Sequence, residues 1–87
     1  MTDGEKALQE LGYELDKTYP AKYRSVFDYE NNDIIISFYG CYLDNKIIEY
    51  LVSVFDRYSE GVVDLSVDVV KAILLRLEEL NQTIKEN

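Results

Sequence analysis

The fold is decided by residues 22–55, which read KYRSVFDYENNDIIISFYGCYLDNKIIEYLVSVF. The stretch is rich in β-branched and aromatic residues, which favour strands. Two polar pairs interrupt it, Asn31 with Asn32 and Asp44 with Asn45. These residue types tolerate the positive φ of tight hairpin turns. The pattern therefore predicts three antiparallel strands: one that begins at residue 22, one over residues 33–43 and one over residues 46–55.

The third of these strands has an alternative interpretation. Read as a strand, residues 46–55 place Ile48, Tyr50, Val52 and Val54 on one face. Read as a helix, they form an apolar stripe that includes Ile47, Leu51 and Phe55, and Asp44 could cap it. The β-branched content favours the strand, so we predict a strand and keep the helix as the alternative.

Helices are predicted at both ends of the sequence. Thr2 and Glu5 have the spacing of a capping box, so the first helix should begin at Asp3, and Gly12 suits the left-handed residue after its end. Ser66 is the predicted N-cap of the last helix, with Asp68 in the first turn. Between the first helix and the sheet, residues 14–21 contain the only proline and are predicted to form a loop.

The last helix carries an apolar stripe that should cover the sheet. The residues of the stripe are Val70, Ile73, Leu74, Leu77, Leu80 and Ile84. Leu8 and Leu11 of the first helix should pack beside it, while Arg76 and its charged neighbours should face water. The prediction is a single α+β domain over residues 1–87, in the order α-β-β-β-α. Its three-stranded antiparallel sheet would have both helices on one face.

The residue types exclude most catalytic chemistry. The sequence has no histidine, so the commonest acid–base group and neutral metal ligand are missing. Cys41 is the only cysteine, and its apolar strand predicts a buried structural thiol. The acids near the first hairpin turn lack the spacing of a calcium loop. We therefore predict a protein that is not an enzyme, with no catalytic residue, cofactor or metal site.

The charge is unevenly distributed along the chain. The net charge is −8, and residues 26–68 hold nine acids against two bases, Lys46 and Arg57. Such a protein should repel nucleic acid and anionic membranes and attract basic protein surfaces. The apolar runs are far shorter than the roughly 20 residues of a membrane helix, and no leader pattern is present. A soluble, cytoplasmic protein is expected.

The candidate binding residues are the acids and tyrosines of the predicted sheet and its neighbouring loops. The acids are Asp28, Glu30, Asp33, Glu49, Asp56, Glu60 and Asp64. Tyr29, Tyr39 and Tyr58 are the candidate anchors, because tyrosine is enriched at protein interfaces. The alternative for the acids is a merely solvated surface, and for the tyrosines a role in completing a thin core. Acids projecting from a sheet could also mimic the phosphate charges of a nucleic acid.

Three segments carry a resemblance to known proteins. They are LQELGY at residues 8–13, LSVDVVKAI at residues 65–73 and LEELN at residues 77–81. With the tyrosine-rich hairpins, they resemble small acidic proteins encoded by phages and prophages of Gram-positive bacteria. Some of these are anti-CRISPR inhibitors that occupy the DNA-binding groove of a CRISPR nuclease. The resemblance implies a viral inhibitor, acting as a DNA mimic on a basic host protein in the host cytoplasm, but assigns no residue a role.

Two other functions remain open at this stage. The chain could be a small homo-oligomeric accessory or scaffold protein, such as a homodimer joined through a strand edge or the tyrosines. It could also be an immunity or antitoxin protein that neutralises a basic toxin by the same electrostatic attraction. Light scattering would distinguish the first of these from an inhibitor.

Overall fold

The computed structural model describes residues 1–18 and 25–86. Its elements are α1 (Asp3–Glu10), β1 (Glu14–Thr18), β2 (Ser25–Glu30), β3 (Ile34–Leu43), β4 (Lys46–Asp56) and α2 (Val67–Lys85). The strands form one antiparallel sheet in the order β1-β2-β3-β4. The α+β class and the two helices are as predicted, but the sheet has four strands rather than three.

The additional strand lies in the predicted loop. Residues Glu14–Thr18 pair with β2, and Leu15 lies opposite Tyr29. Gly12, at a φ of 91°, reverses the chain directly after α1, so the next residues reach the edge of the sheet. Pairing with β2 then supplies backbone hydrogen bonds that outweigh the weak strand propensity of the sequence ELDKT. The rest of the predicted loop and the predicted start of the next strand, residues 19–24, lie outside the described residues.

The long hairpin of β3 and β4 follows the strand prediction, and the helical alternative for residues 46–55 is wrong. The two strands pair from Ile34 opposite Asp56 to Leu43 opposite Lys46. Asp44 and Asn45 have φ angles of 51° and 65°. Positive φ at both central residues matches the twist of a two-residue hairpin, so the turn sets the register of the longest pairing in the sheet.

The first helix begins as predicted. The Thr2 hydroxyl accepts from the amide of Glu5, and the Glu5 carboxylate accepts from the amide of Thr2, each at 3.2 Å. Leu8 is fully buried, whereas Leu11 lies after the last helical turn and is exposed. One of the two predicted core contacts of α1 therefore exists.

The capping box predicts a pH dependence. The amide of Thr2, with smaller contributions from its hydroxyl and from Arg76, lowers the pKa of Glu5 below 4.5, against the effect of burial. The stability contributed by this carboxylate is therefore present above pH 4.5 and lost as the pH falls through the lower folded-state pKa. Glu5→Gln, which can still accept from Thr2, should reduce this dependence. Urea unfolding of both proteins between pH 7 and pH 2 measures it, and parallel curves would contradict it.

The second helix begins at the predicted cap, and part of its predicted stripe is confirmed, because Ile73 and Leu80 are buried and Leu77 packs against the core. The Ser66 hydroxyl accepts from the amide of Val69 at 3.3 Å. The residues of α2 that are buried are Val69, Ala72, Ile73, Arg76 and Leu80, whereas Val70 and Leu74 are exposed. The prediction that Arg76 faces water is wrong, because the helix packs against both the sheet and α1 and Arg76 lies between them.

The core lies between one face of the sheet and the two helices. Ile36 and Phe38 of β3 and Leu8 of α1 are fully buried at its centre. Tyr29 contacts Phe38 edge to face, with 5.7 Å between the ring centroids. Ile73 and Leu80 of α2 close the core from the helix side. None of the described helices packs on the opposite face of the sheet, and this places the candidate site.

Candidate functional site

The face of the sheet opposite the helices is the candidate site, and we call it the open face. Side chains alternate along strands, and Ile36 and Phe38 point to the core, so their odd-numbered neighbours point away from it. The open face comprises Asp28, Glu30, Ile35, Ser37, Tyr39, Cys41, Glu49, Leu51, Ser53 and Phe55. The strand register brings these residues of β2, β3 and β4 into neighbouring rows.

Apolar pairs lie on either side of a polar row on the open face, which is formed by Asp28, Ser37 and Ser53. Ile35 lies opposite Phe55, and Tyr39 lies opposite Leu51. Phe55 is 52% exposed although it lies within a strand. The Ser53 hydroxyl donates to the Tyr39 hydroxyl at 3.3 Å, which orients the tyrosine ring on this face. Tyr39 is thus the predicted anchor that the structure places at the centre of the candidate site.

Three of the predicted acids lie on the open face itself. Glu30 forms an ion pair with Arg57, and Glu49 is exposed. Asp28 is partly exposed as a residue, yet its Oδ1 has an accessible area below 1 Å² and no hydrogen-bond partner. Among the described buried side-chain nitrogen and oxygen atoms, it is the one without a partner.

The other four predicted acids lie around one end of the sheet. Asp33 lies in the β2–β3 turn, in which the Asn31 carboxamide accepts from the amides of Asp33 and Ile34. Asp56 ends β4, and its Oδ1 accepts from the amides of Tyr58 and Ser59. The remaining two, Glu60 and Asp64, are exposed in the segment that leads to α2. Asp33, Glu60 and Asp64 are therefore free to meet a partner, whereas Asp56 also has a structural role.

The tyrosines predicted to be anchors have different positions. Tyr29 is 3% exposed, and burial raises the pKa of its hydroxyl. It belongs to the core, as the alternative for the tyrosines proposed, so it is not available as an anchor. Tyr58 is 79% exposed and lines a cleft of about 470 Å³ together with Glu14, Asp16, Glu30 and Arg57. Glu14 and Asp16 add two acids that the sequence pattern assigned to a loop.

Three further features concern the position of Cys41, possible metal ligands and the apolar length of the helices. Cys41 lies on the open face and is half-buried rather than buried, because no described helix covers it. Within residues 1–18 and 25–86, no three or more Cys, Asp and Glu side chains are arranged to hold a metal ion. No helix in the described part of the chain is long and apolar enough to cross a membrane.

Comparison with known proteins finds no significant match to a protein family model, to a curated protein or to a solved structure.

Proposed function

We propose that the protein is a non-enzymatic inhibitor whose open face binds a basic, nucleic-acid-binding surface of another protein. The resemblance to phage proteins suggests a host-defence nuclease, such as a CRISPR nuclease, as that partner. The observation that carries the proposal is the unpartnered oxygen of Asp28 on an uncovered face.

An unpartnered carboxylate oxygen is costly in a folded protein. A buried acceptor without a donor typically costs about 1–3 kcal/mol. A charged donor from a partner, such as a guanidinium or an ammonium group, would satisfy it and gain a charge-assisted hydrogen bond. Oδ1 itself has almost no accessible area, so the Asp28 side chain has to turn toward the open face before a partner's donor can reach this oxygen.

The surroundings of Asp28 favour a protein partner with a basic surface. The apolar pairs on either side of the polar row, which include Tyr39 and Phe55, supply area that becomes favourable when it is covered. Exposed carboxylates, including Glu49 and Asp33, lie at its periphery. Apolar area beside polar and charged groups is common in protein interfaces, and a net charge of −8 favours a cationic partner.

Substitution of Asp28 should change stability and binding in opposite directions. Asp28→Ser removes the unpartnered charged oxygen, so the free energy of unfolding should rise by about 0.5–1 kcal/mol. The same substitution should weaken partner binding by roughly 10- to 150-fold, because a charge-assisted hydrogen bond is worth roughly 1.5–3 kcal/mol. Chemical denaturation and titration calorimetry measure the two effects. A fall in stability together with unchanged affinity would show that Asp28 has only a structural role.

The partner can be sought by affinity capture from a host lysate. The tagged protein should retain a basic nucleic-acid-binding protein at about 0.05 M salt and release most of it at about 0.5 M, where charges separated by more than a few Å are screened. Mass spectrometry identifies the retained protein. Retention of a partner with equal strength at both salt concentrations, or no specific retention, would contradict the electrostatic proposal.

A further inference from the structure

The outer edge of β4 has a defined pattern of free backbone groups. Backbone groups along an edge strand point alternately toward the neighbouring strand and away from it. The amide of Arg57 donates to the carbonyl of Asp33 at 2.8 Å, so the odd-numbered residues of this part of β4 bond to β3. Tyr50, Val52 and Val54 therefore direct their N–H and C=O groups away from the sheet.

Asn81 of α2 closes this edge at Tyr50. The amide of Tyr50 donates to Asn81 Oδ1 at 2.8 Å, and Asn81 Nδ2 donates to the carbonyl of Tyr50 at 3.1 Å. The side-chain amide thus takes the place of a peptide group in a neighbouring strand. At Val52 and Val54, the outward backbone groups have no hydrogen-bond partner in the described part of the chain. These two residues form an open window in the edge.

We propose that a second copy of this chain pairs with the window, antiparallel and with its two-fold axis at Ser53. In this register Val52 lies opposite the partner's Val54, and Val54 lies opposite the partner's Val52. All the free groups of both windows can then form hydrogen bonds with each other. A shift by two residues would place Val54 opposite the partner's Tyr50, which Asn81 closes, or Val52 opposite the partner's Asp56.

The side chains of the open face agree with this register. Ser53 would meet the partner's Ser53, and Phe55 would meet the partner's Leu51. Beyond these pairs the two strands diverge, because the partner's Asp56 would come to Tyr50, whose outward groups Asn81 already bonds. A like charge directly opposite would be unfavourable, whereas these uncharged pairs are compatible with neighbouring strands. The contact covers part of Phe55, which is 52% exposed in the single chain.

The expected dimer is weak and does not compete with the proposed function. It extends one sheet into the next, and apart from the covered part of Phe55 it leaves the open face uncovered. Pairing through a two-residue window buries less than the roughly 1,200–2,000 Å² of a stable interface. Two chains of charge −8 also repel each other, so salt should strengthen the dimer. Binding of a basic partner should respond to salt in the opposite direction, so each proposal can fail without the other.

Disulfide cross-linking tests the register. In the background Cys41→Ser, Ser53→Cys would place two thiols across a non-hydrogen-bonded pair, where Cα atoms lie about 4.5 Å apart, within the roughly 4.4–6.8 Å of a disulfide. Mild oxidation should give a covalent dimer, with a larger yield at about 0.5 M than at about 0.05 M salt. Phe55→Cys in the same background is the matched control and should stay monomeric. Mixing Phe55→Cys chains with Leu51→Cys chains should restore the cross-link, because these two positions lie opposite each other in the proposed register.

Sedimentation of unmodified chains gives an independent measurement. At high salt the average molecular mass of the wild-type protein should rise with protein concentration. Ser53→Lys should remain a monomer, because two ammonium groups would meet on the two-fold axis. Ser53→Lys lowers the net negative charge, so general repulsion cannot explain such a loss. Equal cross-linking of Ser53→Cys and Phe55→Cys, or a wild-type monomer at all concentrations, would overturn the proposal.

Discussion

Arg76→Ala should lower the free energy of unfolding by about 3 kcal/mol, at the lower end of the roughly 3–5 kcal/mol for breaking a buried ion pair. Arg76 is 7% exposed. Its Nε donates to the Tyr29 hydroxyl at 3.2 Å, and its guanidinium carbon lies 5.1 Å from the centroid of the Phe27 ring. Nη1 lies 3.6 Å from Glu79 and 3.9 Å from Glu5.

The size of the expected loss in stability follows from the groups that Arg76→Ala would leave without a partner. Alanine would leave the Tyr29 hydroxyl buried without its donor and would open a cavity beneath Phe27. Glu5 and Glu79 would lose a cation, but their side chains are 30% and 21% exposed and can be hydrated in part. This partial hydration places the expected loss at the low end of the range.

Two variants of the same helix serve as controls for Arg76→Ala. Arg76→Lys keeps a charge but not the guanidinium geometry, so we expect a loss of about 1–2 kcal/mol. Lys71→Ala changes an exposed residue of α2 and should stay within about 0.5 kcal/mol of the wild type. Urea denaturation with a common m-value measures all three. Equal, small effects at Arg76 and Lys71 would contradict the structural role of Arg76.

Gly4→Ala should destabilise the protein by about 2 kcal/mol, although alanine is the better helix former by about 1 kcal/mol. A Cβ atom at Gly4 would lie 2.8 Å from the Cα and 2.9 Å from the N of Arg76 and would overlap the Glu79 carboxylate. The first two of these atoms are backbone, so α1 and α2 would have to separate. The separation would also weaken the bond from the Gly4 amide to Glu79 Oε2, now 2.9 Å.

Gly61→Ala is the matched control for Gly4→Ala. A Cβ atom at Gly61 would have only the Ser59 hydroxyl within 4 Å, at 3.6 Å, which is an ordinary contact. We expect the melting temperature to change by less than about 3 °C for Gly61→Ala and to fall by roughly 10 °C for Gly4→Ala, since about 1 kcal/mol corresponds to 4–8 °C in a domain of this size. Unchanged melting of Gly4→Ala would show that α1 does not pack as closely on α2 as described.

The sequence predicted the elements that depend on local signals. The capping residues Thr2 and Ser66 and the Asp44–Asn45 turn act within a few residues, so their patterns can be read directly. The strand β1 was missed because its formation depends on pairing with β2, which no local pattern in Glu14–Thr18 reveals. The inward position of Arg76 was missed for a similar reason. The inward position of Arg76 depends on the close approach of α1 at Gly4. The helical spacing of apolar residues in α2 gives no indication of this contact.

The candidate site was predictable in part. The uneven charge predicted acids on and beside the sheet, and a strand over residues 33–43 requires Tyr39 and Ile36 to lie on opposite faces. The burial of Tyr29 could not be distinguished from exposure, because the pattern did not show which face of β2 the helices cover. The unpartnered oxygen of Asp28 depends on atomic contacts that no sequence pattern specifies.

We propose that the acids around the open face bind a basic, nucleic-acid-binding surface. The most direct measurement uses the captured partner and two variants with equal net charge. One variant reverses three exposed acids at the site, Asp33, Glu49 and Glu60, to lysine. The other reverses three exposed acids on or directly after the helices, Glu10, Glu78 and Glu86.

Displacement of duplex DNA from the partner, measured by fluorescence anisotropy, should fall at least tenfold for the first variant and less than threefold for the second, because only the first variant changes charges at the contact. Equal losses for the two variants would contradict the claim.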